Sequence, residues 1–270
     1  IGVVDVKDLL TTGENRLIEE IMETNMLYVH THDDQEEVAS QINKYGLIAI
    51  PVVDYEMCMV GIVTVDDAMA VLQEEATEDM SMMAGIAPSE DSYFGTSVWK
   101  HVRNRFPWLL FLMLSATITG LLLGHYEGAL AVMPILNTFV PMLTGTGGNC
   151  GSQSSTLIIR GLAVDEIEFG DIFKVLFKEV RIALLAGFLL AIVNGIRIIL
   201  MYKDPMLAFA VGLTLMCTVL LSKTIGCCLP LIAKKCGLDP AIMAAPLITT
   251  LVDTGTIFVY FTIVTKIFHI

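Results

Sequence analysis

The residues best placed to do chemistry gather late in the chain, around Asp253 in the stretch Pro246-Leu-Ile-Thr-Thr-Leu-Val-Asp253-Thr-Gly-Thr-Ile-Phe-Val-Tyr-Phe261. The stretch is apolar on both sides of the acid and, continued through Ile263, is long enough to span hydrocarbon. A carboxylate deep in a bilayer costs about 3 kcal/mol or more on insertion scales, so such acids face a partner or a water-filled path. Thr249, Thr250, Thr254, Gly255 and Thr256 surround it. Small and hydroxylated, they suit a packed, wettable wall better than a lipid face. The chemistry on offer is a cation site. Burial against a basic partner such as Lys223, for pairing alone, is the competing reading.

Two further groups offer oxygen ligands. Thr144-Gly-Thr-Gly-Gly-Asn-Cys-Gly-Ser-Gln153 follows an apolar run, and its glycines let backbones approach closely or free carbonyls to line a cavity. In Gln73-Glu-Glu-Ala-Thr-Glu-Asp79, the acids Glu75, Glu78 and Asp79 fall within one helical turn. Mg²⁺ is commonly held by one or two carboxylates while keeping several waters, although an acidic run is more often a solvated helix face.

The elements that must position these groups divide the chain in two. With 270 residues, 54% of them hydrophobic, the chain is too apolar for an ordinary soluble domain. The apolarity begins after Arg105. Five apolar segments are expected to span: Pro107–Leu123, Ala129–Leu143, Ile182–Leu200, Met206–Ala233, and the Asp253 segment ending near Phe268. Basic residues fall mostly on one side of such a layout, at Lys100, Arg103, Arg105, Arg160, Lys174, Lys178, Arg181, Lys234 and Lys235, against Arg197, Lys203 and Lys266 on the other. The richer side is read as cytosolic, which puts the C-terminus outside. Lys223, inside the fourth segment, can snorkel, pair with an acid or repel cations. The net charge of −13 excludes a nucleic-acid partner and fits a protein that handles cations. The six cysteines have no metal-ligand spacing and read as packing residues. No arrangement suggests a catalytic nucleophile, so no enzyme is expected.

Residues 1–72 alternate strand and helix signals: a β-like run at Gly2, helices at Ile18–Met22 and Asp34–Tyr45, strands at Gly46–Asp54 and Met57–Thr64, then a helix from Val65. This is an α+β module, read as cytosolic because no signal peptide precedes it. Residues 73–98 read as an acidic helix and a Gly/Ser-containing linker, and 99–270 as the membrane domain. The fold class expected is therefore an α-helical polytopic membrane domain of five helices with an α+β cytosolic module.

Ala49-Ile-Pro-Val-Val-Asp54 followed by Gly61-Ile-Val-Thr-Val-Asp-Asp67 resembles a cystathionine-β-synthase (CBS) repeat, and Gly2-Val-Val-Asp-Val-Lys-Asp8 resembles the tail of a preceding one. In many such modules a hydroxyl and an acid hold adenine nucleotide. Thr64 and Asp67 match them as candidates for ATP, while Asp5 replaces the hydroxyl in the earlier copy.

With this module in front, Gly145-Thr-Gly-Gly-Asn149, Leu238-Asp-Pro-Ala241 and Thr250-Leu-Val-Asp253 closely resemble the MgtE family of Mg²⁺ channels. The resemblance implies a plasma-membrane homodimer whose pore is lined by the second and fifth helices. Asp253 would be the selectivity acid, and the backbone around Gly145, Gly148 and Thr249 a carbonyl wall, with Gly147, Asn149 and Thr250 beside it. It implies closure by cytosolic Mg²⁺, with Glu78, Asp79, Glu75, Asp67 and Asp239 as regulatory ligands. Asp239 ahead of Pro240 also reads as a helix cap. The family's amino-terminal helical domain and most of its first repeat are expected to be missing. Ala244-Ala245 stand where the resemblance implies a polar residue. A secondary transporter coupled to Na⁺ or H⁺ is the alternative mechanism, and a non-transporting sensor would have no need of Asp253.

Overall fold

The structure, a computed structural model, describes residues 2–89, 91–243 and 245–270. It forms two compact units, Ile1–Thr77 and Glu78–Ile270.

In the first unit Asp5 caps the short helix α1 (Val6–Thr11), its carboxylate accepting from the Lys7 amide at 2.8 Å. The β-like run at Gly2 amounts to one bridge, Val3 with Glu23. After α2 (Ile18–Ile21) comes a strand that pattern reading missed, β1 (Val29–His30), too short for an alternation to show. Helix α3 (Gln35–Tyr45) is capped by Asp34 and stopped by Gly46 at φ 62°. Strands β2 (Ala49–Val53) and β3 (Met59–Thr64) form an antiparallel hairpin, and β1 lies parallel to β2 on the other side. Asp54 makes the hairpin turn by accepting from the Glu56 and Cys58 amides at 2.9 and 2.8 Å. Val38, Ala39 and Ile42 of α3 pack on Val29 and Ile50 of the sheet, together with Ala68 of α4 (Val65–Met83). The expected boundary at residue 72 falls inside α4, which runs on through the acidic stretch as one helix.

The second unit is helical. Lys100 pairs with Asp91 just ahead of α5 (Val98–His125) and holds that carboxyl below the ordinary carboxylate range, chiefly through the hydrogen bond it donates. Among the described residues, four helical stretches are long and apolar enough to cross a membrane: α5, then the stretches containing α8 (Ile172–Tyr202), α9 (Pro205–Lys235) and α10 (Ala245–Phe268). The expected second span is not one of them. Ala129–Leu143 is broken into α6 (Glu127–Val132), a 3-10 turn over Pro134–Phe139, and the start of α7 (Val140–Ala163). Pro134 disfavours helix at Met133, whose φ and ψ are −135° and 77°, so the long helix begins later. It then continues unbroken through the glycine run, and its glycines, threonines, serines and Asn149 lower its apolarity.

Helix α9 is the most enclosed of the four. Leu207, Val211 and Leu215 on it pack with Phe139, Leu143, Tyr260 and Phe261, and the Tyr260 hydroxyl donates to the Leu136 carbonyl at 2.9 Å. Helix α5 has no buried residue in the protomer and presents Leu109, Phe111 and Leu121 outward.

Where α7 crosses α9 the backbones touch. A Cβ on Gly226 would stand 2.3 Å from the Gly151 carbonyl oxygen, and one on Gly151 would stand 2.6 Å from Ile248 Cγ2 and 3.3 Å from the Ser222 carbonyl. Backbone cannot step aside as a side chain end can. Gly226→Ala is therefore expected to destabilise the bundle by about 2 kcal/mol or more. Gly120→Ala on the open side of α5, where nothing lies within 4 Å, should be neutral or slightly stabilising. Thermal unfolding of the two variants in detergent checks this, and equal melting shifts would contradict the crossing.

Candidate cation-permeation site

Asp253 lies on α10 about 12 Å along the axis from the helix start, at 1.5 Å per residue. It is half-buried, and among the described residues it makes no ion pair and no hydrogen bond. One turn earlier, Thr249 packs on α7, where a Cβ on Gly148 would stand 2.8 Å from Thr249 Cγ2. Gly147 is closed in by Thr218 of α9 and by Val252 and Thr256 of α10. The glycine run thus brings α7 against the helix that carries the acid, and packing is what these glycines do.

The expected pore-lining residues separate by face. Gly147 and Gly148 are buried in the helix contact, whereas Gly145 and Asn149, four residues apart, are exposed on one side of α7. The expected wall of freed carbonyls is not formed: α7 and α10 are regular helices through Gly145, Gly148 and Thr249, so these carbonyls belong to intrahelical ladders. The hydroxyls supply a different surface. Thr249 and Thr250 both donate to the Pro246 carbonyl, at 2.9 and 3.0 Å, and Thr254 donates to the Thr250 carbonyl at 3.2 Å. With the proton turned back to the helix, each oxygen is left as an acceptor, the polarity a cation needs. Thr119 of α5 lies 2.9 Å from the Thr254 hydroxyl and ties the outer helix to this wall.

Lys223 does not pair with Asp253. Its ammonium donates to Ser154 of α7 at 3.0 Å and to Glu179 of α8 at 3.4 Å, and the Ser154 hydroxyl donates to Glu179 at 2.6 Å. All three side chains are buried. Glu179 lies in the sequence within the polar stretch 161–180 ahead of the expected third span, where an acid is ordinary. The usable signal was depth. Glu179 sits roughly 10 Å into α8 and Lys223 roughly 18 Å from the far end of the antiparallel α9, a difference a lysine side chain spans.

The expected regulatory acids are less gathered. Asp239 caps the 3-10 turn Pro240–Met243 by accepting from the Ala241 amide at 2.7 Å. Asp67 is exposed and accepts from the Thr64 hydroxyl at 2.6 Å, so the two nucleotide candidates bond to each other. Glu75 accepts from Gln35 at 2.8 Å. Glu78 is exposed on α4, and Asp79 is half-buried beside it in sequence. Within neither unit do three or more His, Cys, Asp or Glu side chains gather at one point among the described residues. Ala244, on which the expected loss of polarity ahead of Pro246 rests, lies outside the described residues.

This geometry occupies the segment that known proteins share. The MgtE family model, described as a divalent cation transporter, matches residues 140–263, and the CBS domain model matches residues 18–74. Among curated proteins, magnesium transporter MgtE of Enterococcus faecalis is 33% identical over 263 residues, covering 97% of this chain and 57% of the relative. The protein of the same name from Bacillus subtilis is 35% identical, covering 100% of the chain and 59% of the relative. That from Thermus thermophilus is 36% identical, covering 97% and 58%. The chain therefore spans less than three fifths of the length of these relatives. A solved structure, the soluble part of a magnesium transporter, is 43% identical over 28% of this chain and 29% of that one, with a TM-score of 0.27. The two signatures lie in order along one polypeptide, that of the CBS domain over the small sheet and that of the MgtE family over the helices that carry Asp253.

Proposed function

We propose that this chain carries the permeation pathway of a magnesium channel. The observation that carries the reading is Asp253: an acid inside an apolar helix, without a protein cation, beside hydroxyls that present only acceptors. A hydrated Mg²⁺ would meet the carboxylate and the threonine oxygens through its water shell, which it gives up reluctantly. The curated relatives named as magnesium transporters support the choice of ion.

In this reading α7 serves as the fifth membrane helix, with its polar face toward the pathway rather than toward lipid. The exposed Gly145 and Asn149 support that placement, since Asn on a lipid face is costly. Two protomers around a two-fold axis would bring two Asp253 carboxylates to one path, enough charge to favour divalent ions. Lys100, Arg103, Arg105, Lys234 and Lys235 would face the cytosol, with the CBS region on that side and the C-terminus outside. Internal Mg²⁺ would close the path through Glu78 and Asp79 on α4 and Asp239 ahead of α10, with Asp67 and Glu75 as further ligands. Adenine nucleotide at Thr64 and Asp67 would require their mutual hydrogen bond to open.

A carrier coupled to Na⁺ or H⁺ is the second reading, and the buried Glu179–Lys223 pair favours it as a further ionisable site within the bundle. A channel conducts down the membrane potential alone. Flux that follows a Na⁺ or proton gradient, without unitary currents, would establish the carrier.

In proteoliposomes the chain is expected to pass Mg²⁺, and Asp253→Asn should lower Mg²⁺ flux by about tenfold or more or abolish preference over monovalent ions. Identical behaviour of the two proteins would make Asp253 a structural acid. Raising Mg²⁺ on the side of the CBS region should inhibit the wild-type chain, and Glu78→Gln with Asp79→Asn should shift that inhibition to severalfold higher Mg²⁺. An unshifted inhibition curve would remove the α4 acids from the gating account.

A further inference from the structure

We infer that Glu179 is an electrostatic positioning residue: by neutralising Lys223 inside the bundle, it keeps the only described cation buried there from repelling ions on the pathway. The proposal rests on the permeation reading above and concerns a residue outside its lining.

Three observations carry it. The pair is enclosed, with Lys223 7% and Glu179 6% exposed and Ser154 fully buried, so water screens neither charge. It is tied to the helix that packs on α10: Ser154 lies on α7 six residues after Gly148, roughly 9 Å along the axis, and Gly148 contacts Thr249. In a low-dielectric surround an uncompensated ammonium acts on a passing divalent ion with twice the energy it has on a monovalent one. Finally, the geometry favours cancellation over strength. The ammonium is 3.4 Å from the carboxylate, and Ser154 bridges them at 3.0 and 2.6 Å. A buried pair of this kind is weak evidence for stability, since apolar replacement of both partners is often neutral. Its charges are what a neighbouring ion feels.

A structural clamp and a charge balance make different predictions. If the pair only fixes the packing of α7, α8 and α9, removing either partner harms the protein alike. If it balances charge, the two single variants differ. Glu179→Gln leaves a bare cation, Lys223→Met removes the cation, and the double variant restores neutrality.

The test measures Mg²⁺ flux per folded protein in proteoliposomes, with folded protein scored by monodispersity and thermal unfolding. Glu179→Gln is expected to lower flux by about tenfold or more, and Lys223→Met to hold it within about threefold of wild type. The double variant is expected to return to within about threefold, even if both single variants melt earlier. Should Glu179→Gln not fold, Lys223→Met alone decides, because a large loss of flux in that folded variant contradicts the proposal. Equal losses in both singles, or a double variant as poor as Glu179→Gln, would make the pair a packing clamp and overturn the inference. Proton-coupled flux abolished by Glu179→Gln would overturn it in favour of a carrier. A wild-type chain that passes no Mg²⁺ defeats the permeation reading itself. A conducting wild type with an unaffected Glu179→Gln defeats only this inference.

Discussion

The bundle depends on a backbone contact between α7 and α9 at Gly151 and Gly226, with Gly148 pressed on Thr249 of α10 nearby. Water drives apolar side chains together in a soluble core, but lipid tails are as apolar as leucine and give no such push. Helices in that setting associate through close van der Waals contact and a few internal hydrogen bonds, and small residues are what allow the approach. The glycines of α7 therefore do two things at once. They remove the side chains that would hold the helices apart, and they set the register in which the remaining side chains of α7 meet their neighbours. Asn149 faces out and Ser154 faces in because the helix is seated on Gly147, Gly148 and Gly151.

The polar groups of the bundle follow from that seat. Ser154 completes the triangle with Glu179 and Lys223, and its neighbour Ser155 donates to the Met243 carbonyl at 3.1 Å, tying α7 to the turn that precedes α10. Lys234 reaches the Leu162 carbonyl at 3.1 Å, where α7 ends and its last carbonyls lack helical partners. Helix α7 is thus fixed along its second half by side chains from α8 and α9 and by its own Ser155 on the turn before α10. A helix so fastened can hold an uninterrupted ladder through a glycine-rich run that would otherwise favour unwinding. This explains why the carbonyls expected to come free do not.

What was legible in the sequence follows the same physics. Long apolar periodicity located α5, α8, α9 and α10, because crossing hydrocarbon needs length and apolarity that few other segments combine. Asp34 marked the start of α3, since a cap is local chemistry, whereas Gly46, expected to open the following strand, is the left-handed residue that stops the helix. The start of α7 was misplaced by about ten residues because its identity is held by packing rather than by its own composition, and Pro134 moved that start. Asp253 was legible as an anomaly, a charge where charge is costly. Glu179 was not. It sits near basic residues at a helix entrance, where an acid is ordinary, and only its partner 44 positions away makes it unusual.

Glu179 and Asp253 together give the reason for reading the second as functional. Both are acids in the helical unit. The bundle supplies Glu179 with an ammonium and a hydroxyl, which shows that this fold can provide for a buried carboxylate when packing is the purpose. It supplies Asp253 with neither. On the same helix Thr249, Thr250 and Thr254 all direct their protons to backbone carbonyls. In the permeation reading, a charge left without donors in an apolar helix is stabilised from outside the protomer, by water or by a cation. An acid that meets a succession of ions must keep its lone pairs available.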